Sequence, residues 1–205
     1  MRSLKVLCAC LVSVGTAQAQ EEVTTPSNTF ELSLAAGYGQ GLGPVASGVP
    51  TLQGFGKAGG SFTLNAGWRI SPRWEAGLYG EFGDFSSGNL AGSDHALTAA
   101  AGLQGQFHLL PAAQLDPWVG LGAGWRGYWS RINGNDYGLQ GLDLVRLQAG
   151  VDYRLTRQLS VGPVAGITLT GFLSHEPIGA SGYSDTHDRK VDTFVFAGIG
   201  GRFDL

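Results

Sequence analysis

Residues 144–155 read LVRLQAGVDYRL. From Val145 every second residue is apolar: Val145, Leu147, Ala149, Val151, Tyr153 and Leu155. Between them lie Arg146, Gln148, Gly150, Asp152 and Arg154. Successive side chains of a strand point to opposite sides, so this is a strand with two unlike faces. Its surroundings decide the fold. In water the apolar face is core and the charges are surface. In a closed barrel crossing a bilayer the apolar face meets lipid and the charges line the lumen.

The same period of two recurs along the chain. It predicts eight strands, at about 29–39, 60–70, 73–84, 95–109, 117–130, 144–155, 159–172 and 191–203. The second sets Phe62, Leu64, Ala66, Trp68 and Ile70 against Ser61, Thr63, Asn65, Gly67 and Arg69. The connections alternate long and short. The short ones are Ser71-Pro72, the compact LPAAQLDP near 110–117, and Thr156-Arg157-Gln158. The long ones are expected at 40–59, 85–94, 131–142 and 173–190. That rhythm is the one an antiparallel up-and-down transmembrane barrel needs, with short periplasmic turns and long extracellular loops.

The N-terminus reads as a secretory signal peptide over 1–19. Arg2 and Lys5 precede a short apolar run, and Ala17-Gln18-Ala19 is a small-x-small cleavage site. Residues 20–28 then form a periplasmic segment and 29–205 the barrel, with no second domain. The two cysteines, Cys8 and Cys10, fall in the signal peptide, so the mature chain has none. Its 11 basic and 16 acidic side chains leave it at −5, which argues against a nucleic-acid partner. Charged residues are 14% of the chain, against roughly 25% in soluble domains. Low charge with 34 glycines fits a protein whose larger surface does not face water.

The competing fold is a secreted soluble barrel, also eight-stranded. Three features favour lipid. The apolar faces run the whole length of the strands, and ~9–11 residues suffice to cross with tilt. Aromatics collect at both strand ends: Phe30, Trp68, Trp74, Phe107, Tyr153 and Phe203 towards the short turns, Tyr38, Phe82, Trp125 and Trp129 towards the long loops. Lipid headgroup regions favour such girdles. The polar face carries Glu31, Arg69, Glu75, Glu81, Arg126, Arg146, Asp152, Arg154, Asp192 and Arg202, a mixed set among Gly and Thr. A narrow lumen needs small residues beside long ones, and its charges must pair. Glu75 and Glu81 are the first partners expected for the arginines of 144–155. A solvated face would carry more Lys, and only Lys57 and Lys190 remain, in or beside loops.

From about residue 29 the chain resembles the small eight-stranded outer-membrane barrels of Gram-negative bacteria, the OmpA/OmpX-like barrel domains. The last strand, VDTFVFAGIGGRFDL over 191–205, carries much of the likeness, with Val195, Ala197, Ile199 and Phe203 alternating. That family usually ends in an aromatic residue, which the insertion machinery reads; here the last residue is Leu205. The resemblance implies outer-membrane lipid and lipopolysaccharide as surroundings. It also implies periplasmic chaperones and the barrel-insertion machinery as biogenesis partners, and a monomer. Pro163 inside the seventh strand is expected to mark a bulge, because a closed barrel has no free edge for a missing donor.

Candidate chemistry is sparse, and neither cofactor nor metal is expected. Gly120, Gly122 and Gly124 have the spacing of a phosphate loop without its strand-to-helix context, and are expected to leave lumen space. His108 reads as a lumen hydrogen-bonding residue. His175 and His187 share the last loop with Ser174, Glu176, Asp185 and Asp188. A lipid-modifying hydrolase at the rim would need such a Ser, His and carboxylate in reach of one another. Eight strands enclose a space that side chains fill, so a wide pore is not expected and a narrow channel is the remaining transport reading. The favoured reading is a non-enzymatic barrel acting in envelope integrity or surface interaction through loops 40–59 and 173–190.

Overall fold

The computed structural model describes residues 27–46, 50–176, 182–186 and 188–205. The expected signal peptide over 1–19, most of the expected periplasmic segment 20–28, and His187 lie outside these residues.

The described chain is an antiparallel barrel. Its strands are β1 (Thr29–Leu42), β2 (Gly56–Arg69), β3 (Trp74–Ser87), β4 (Ser93–His108), β5 (Leu115–Ile132), β6 (Asn135–Arg154), β7 (Leu159–Glu176) and β9 (Val191–Asp204). Neighbours pair in chain order from β1 to β7, and β9 closes the cylinder between β7 and β1. A two-residue strand β8 (Ser184–Asp185) extends the wall beside β7. One four-residue helix, α1 (Leu52–Phe55), lies before β2. Among the described residues no helix is long and apolar enough to cross a membrane.

The wall is inside-out relative to a soluble domain. Ile199, Leu103 and Leu121 on the outer face are 71%, 67% and 59% exposed, while Arg126 and Arg146 inside are 0% and 2% exposed. Exposed apolar side chains occur on every barrel strand. Water does not tolerate a continuous apolar patch of that extent; hydrocarbon does. Belt aromatics keep polar handles engaged at the short-turn end: Trp68 Nε1 donates to Asn28 Oδ1 at 3.1 Å, and Gln114 Nε2 to the Tyr153 hydroxyl at 2.8 Å.

The strands are longer than their sequence pattern at the long-loop end. The expected loop 131–142 is instead a continuation of β5 and β6, closed by Asn133 and Gly134 with φ of 50° and 80°. An Asn-Gly pair supplies the two positive φ values of a tight hairpin whose twist matches its strands. Likewise 85–94 narrows to 88–92 between β3 and β4.

Two irregularities differ from expectation. Pro163 causes no bulge. It sits in register opposite Ile199 of β9. On its other side Gly150 pairs Val164 and Tyr153 pairs Val161, so the ladder opens there without a shift. The missing N–H is accommodated by omitting pairs, not by adding a residue. The bulge lies instead on β6 at Leu144. Gly122 pairs Arg146 while Gly124 pairs Asp143, and the register with β7 shifts between Asp143 and Val145. One extra residue reverses the facing of everything beyond it.

Candidate functional site

Two storeys fill the barrel. The storey inside the apolar belt is polar. In its upper cluster Arg126, from β5, donates Nε to Asp143 Oδ1 at 2.8 Å, Nη2 to Asp143 Oδ2 at 3.1 Å and Nη1 to Glu81 Oε1 at 2.9 Å. Arg146 reaches the other Glu81 oxygen at 3.3 Å and Gln104 Oε1 at 3.1 Å, and its guanidinium lies 4.2 Å from the centre of the Tyr79 ring. Tyr79 donates its hydroxyl to Asp143 at 3.0 Å, and Thr170 donates to the same carboxylate at 2.7 Å. Two arginines thus face two carboxylates, held by hydrogen bonds from five strands. A Cβ on Gly124 would come within 2.6 Å of the Tyr79 hydroxyl, and one on Gly122 within 3.5 Å of its ring. Gly122 and Gly124 are the seat of Tyr79, and Gly120 faces Gln106 and Trp118.

The lower cluster lies towards the short turns. Arg69 donates Nε to Glu31 at 2.9 Å and Nη2 to the same oxygen at 2.5 Å. Arg202 contacts Glu31, lies 3.0 Å from Glu75 and 2.7 Å from Asp152, and donates to Gln106 Oε1 at 2.8 Å. His108 Nδ1 is 2.8 Å from Asp116, and Arg154 is 3.8 Å from the same carboxylate. Glu75 therefore serves Arg202, and Glu81 serves Arg146; Arg154 turns to Asp116. Gly67 leaves room for Glu75, whose Oε1 would stand 2.1 Å from a Cβ there.

Asp192 is the exception among the expected lumen charges. It faces inward and is fully buried, yet neither carboxylate oxygen has a hydrogen-bond partner among the described residues. It stands beyond the arginines, with Gly43 against it, where a Cβ on that glycine would lie 2.9 Å from Asp192 Oδ1. Asp143 and Asp116 are the members that sequence reading missed. Asp143 has the wrong parity relative to Arg146 until the Leu144 bulge is counted. Asp116 sits where turn and strand merge.

Glu31, Glu75 and His108 bring potential ligand atoms within 4.8 Å of one another. The same carboxylates already serve Arg69 and Arg202, whose charges oppose a cation at that point.

The storey towards the long loops is apolar. Val45, Leu52, Phe55, Phe85, Tyr128, Ile132, Tyr137, Leu139, Phe172 and Phe194 form one buried cluster within the mouth. The chain between β1 and β2 folds down into it as a plug. Leu52 N–H donates to Gly43 O at 3.0 Å, and Phe55 stacks on Tyr137 with ring centres 4.4 Å apart. A strap holds the plug: Ala46 bridges to Arg189, and Lys190 N–H donates to Val45 O at 3.2 Å.

At the rim, β8 pairs Ser184 with His175 and Asp185 with Ser174. The His175 ring meets Thr186 Oγ1 at 3.3 Å, not a carboxylate, so the described residues do not assemble the Ser, His and acid of a hydrolase. His95 lies 3.7 Å from Asp94 on the exposed start of β4.

No family model matches the chain, and no curated protein matches it. Among solved structures, Neisserial surface protein A aligns with a TM-score of 0.60 at 13% identity, over 86% of this chain and 97% of that one. The outer membrane protein OprG from Pseudomonas aeruginosa aligns at 0.49 with 15% identity, over 87% and 98%. The attachment invasion locus protein Ail of Yersinia pestis aligns at 0.45 with 17% identity, over 85% and 99%. At 13% identity the first likeness establishes the fold: the chain has the architecture of the small eight-stranded outer-membrane barrels.

Proposed function

We propose that the chain is an integral outer-membrane barrel whose lumen is sealed, and that it acts through its wall and its rim, in envelope integrity or surface interaction. The carrying observation is the inversion of the wall: exposed leucine, isoleucine and tryptophan outside, buried paired arginines inside. Such a surface is stable only where hydrocarbon replaces water. A bilayer supplies lipid and lipopolysaccharide as the surrounding partners, and delivery there calls on periplasmic chaperones and the insertion machinery. A monomer suffices, because the barrel closes on itself without a free edge.

Sealing follows from the two storeys in series. An ion would have to part buried guanidinium–carboxylate pairs and then cross an apolar plug, each of which excludes hydrated charge. Non-enzymatic action fits the same filling.

Membrane fractionation with unheated and heated gel mobility tests the reading. The account expects the protein in the outer membrane fraction and a mobility that shifts on boiling. A soluble periplasmic pool without a shift contradicts it. Planar bilayer recordings of the folded protein are expected to show no discrete conductance steps.

A further inference from the structure

The outer wall is not smooth. A groove of about 800 Å³ crosses it from β3 to β7. Its course follows the strand register. Trp74 pairs with Phe107, Phe107 with Val119, Val119 with Ala149 and Ala149 with Ala165. Two residues further from the short turns, Gly105 pairs with Leu121, Leu121 with Leu147 and Leu147 with Ile167. Gly105, Ala149 and Ala165 carry little or no side chain, so the wall is hollow between the aromatic pair and the long aliphatic chains. Four inter-strand steps make the groove about 19 Å long, the reach of a long acyl chain. Barrel strands are tilted, so it runs obliquely through the leaflet. Trp74 opens β3 at the short-turn end, and Ile167 stands halfway along β7. The barrel's own packing does not require the hollow. A Cβ on Gly105 would meet nothing closer than the Glu75 carbonyl oxygen at 3.6 Å, whereas one on Gly77 would strike Ala66 O at 2.2 Å.

The second observation is a charge at the groove's interfacial end. The β2–β3 turn is firmly held: Ile70 N–H donates to Trp74 O at 2.9 Å, Arg69 Nη1 to Pro72 O at 3.2 Å and His108 N–H to Arg73 O at 2.9 Å. Arg69 is buried on Glu31, but Arg73 is exposed and pairs with no carboxylate among the described residues. Next to it Trp74 is 57% exposed. Trp68 has Asn28 for its indole N–H, whereas Trp74 has no side-chain acceptor among the described residues. A cation and an N–H donor without anionic partners thus stand where the groove reaches the headgroup level.

We propose that the groove and the Arg73–Trp74 corner bind one glycerophospholipid. An acyl chain lies in the groove, and the phosphate accepts hydrogen bonds from the Arg73 guanidinium and the Trp74 indole. A chain seated at Gly105, Ala149 and Ala165 gains the dispersion contacts that a flat wall does not offer. The fixed turn holds the donors ready, so little ordering is needed on binding. The proposal rests on the bilayer reading of the wall and goes beyond it: the rest of the wall takes any hydrocarbon, and this place selects a phosphate-bearing lipid.

Native mass spectrometry of the folded barrel released from neutral detergent tests the site. Phosphatidylglycerol is the probe, and diacylglycerol with the same chains lacks the phosphate. One phosphatidylglycerol retained per barrel is expected, in preference to diacylglycerol. Gly105→Leu fills the groove from outside and is expected to lower retention roughly tenfold. Arg73→Gln is expected to lower it several-fold and to abolish the preference over diacylglycerol. Gly80→Leu adds the same side chain elsewhere on the wall, where a Cβ meets nothing within 4 Å, and is expected to change nothing. Arg157→Gln removes an exposed arginine from the turn before β7 and is likewise expected to be silent. Heat-shifted gel mobility verifies that each variant is folded. No retained lipid, equal losses in Gly105→Leu and Gly80→Leu, equal retention of diacylglycerol, or a lipid-free barrel dimer that Gly105→Leu dissociates would overturn the proposal. A barrel that heat-shifts and fractionates with the outer membrane yet gives one of these results loses this site alone. A soluble pool without a shift removes the bilayer reading beneath it.

Discussion

The two storeys of the barrel use the same strands with opposite meaning. Within the belt, β5 turns Trp125 outward and Arg126 inward. A few residues on, it turns Arg131 outward and Ile132 inward. The backbone alternation does not change; the solvent does. Where lipid is outside, apolar residues face out and polar ones pair within. Where water is outside, an ordinary core returns, here the cluster around Phe55 and Tyr128. Alternation alone therefore identifies a strand, and only the identity of the medium says which face is buried.

The largest expected effect breaks the polar storey. Arg126→Met strands Asp143 and Glu81 without their guanidinium, and breaking a buried pair on one side costs about 3–5 kcal/mol. Urea unfolding in vesicles, read by gel mobility, measures it. A loss below about 1 kcal/mol would mean that the cluster is hydrated and not a sealed network.

Phe55→Ala acts on the apolar storey, with a local loss of about 3 kcal/mol from lost packing. The expected signature is selective: protease cuts the segment between β1 and β2 faster, while heat-shifted barrel persists. Loss of the whole barrel at the same rate would show that plug and wall form one cooperative unit.

Asp143→Asn is smaller, about 1–3 kcal/mol, because the amide retains part of the hydrogen bonding to Arg126, Tyr79 and Thr170. A null effect would place Asp143 outside the lumen and remove the Leu144 bulge. Asp192→Asn has the opposite sign. It removes an uncompensated buried charge and is expected to raise the unfolding free energy at pH 8 by about 1 kcal/mol. A destabilised variant would reveal a cationic partner for Asp192. Arg131→Ala is the smallest. Its pair with Asp136 is 58% and 74% exposed, and solvent screening leaves the urea midpoint unchanged.

The belt was legible from sequence because lipid demands continuous apolar faces, and Leu147, Ile167 and Leu103 announce them. The inward charges follow by parity. Parity also explains what was hidden. The extra residue at Leu144 turns Asp143 inward, and no composition signal marks a bulge at a leucine. The plug was hidden because 40–59 is rich in Gly and Pro, and an apolar core of only a few residues per strand has no period long enough to see. The Asn133-Gly134 hairpin carried a readable signal in its dipeptide, obscured by the polar outward residues around it. Partnership of Glu75 with Arg202 joins residues far apart in the chain and depends on barrel closure, which pattern reading does not supply.

The central claim is the inversion of β6 at the bilayer. A nitroxide scan along 136–154 in lipid vesicles, comparing oxygen with a water-soluble nickel chelate, tests it residue by residue. The account predicts oxygen-rich, nickel-poor positions at 142, 144, 145, 147, 149 and 151, with two adjacent lipid-facing labels at the bulge, and water access at 136. Nickel access at Arg146 and Gln148, with Leu147 and Ala149 poor in both oxygen and nickel, would contradict it and make LVRLQAGVDYRL a strand of a soluble protein.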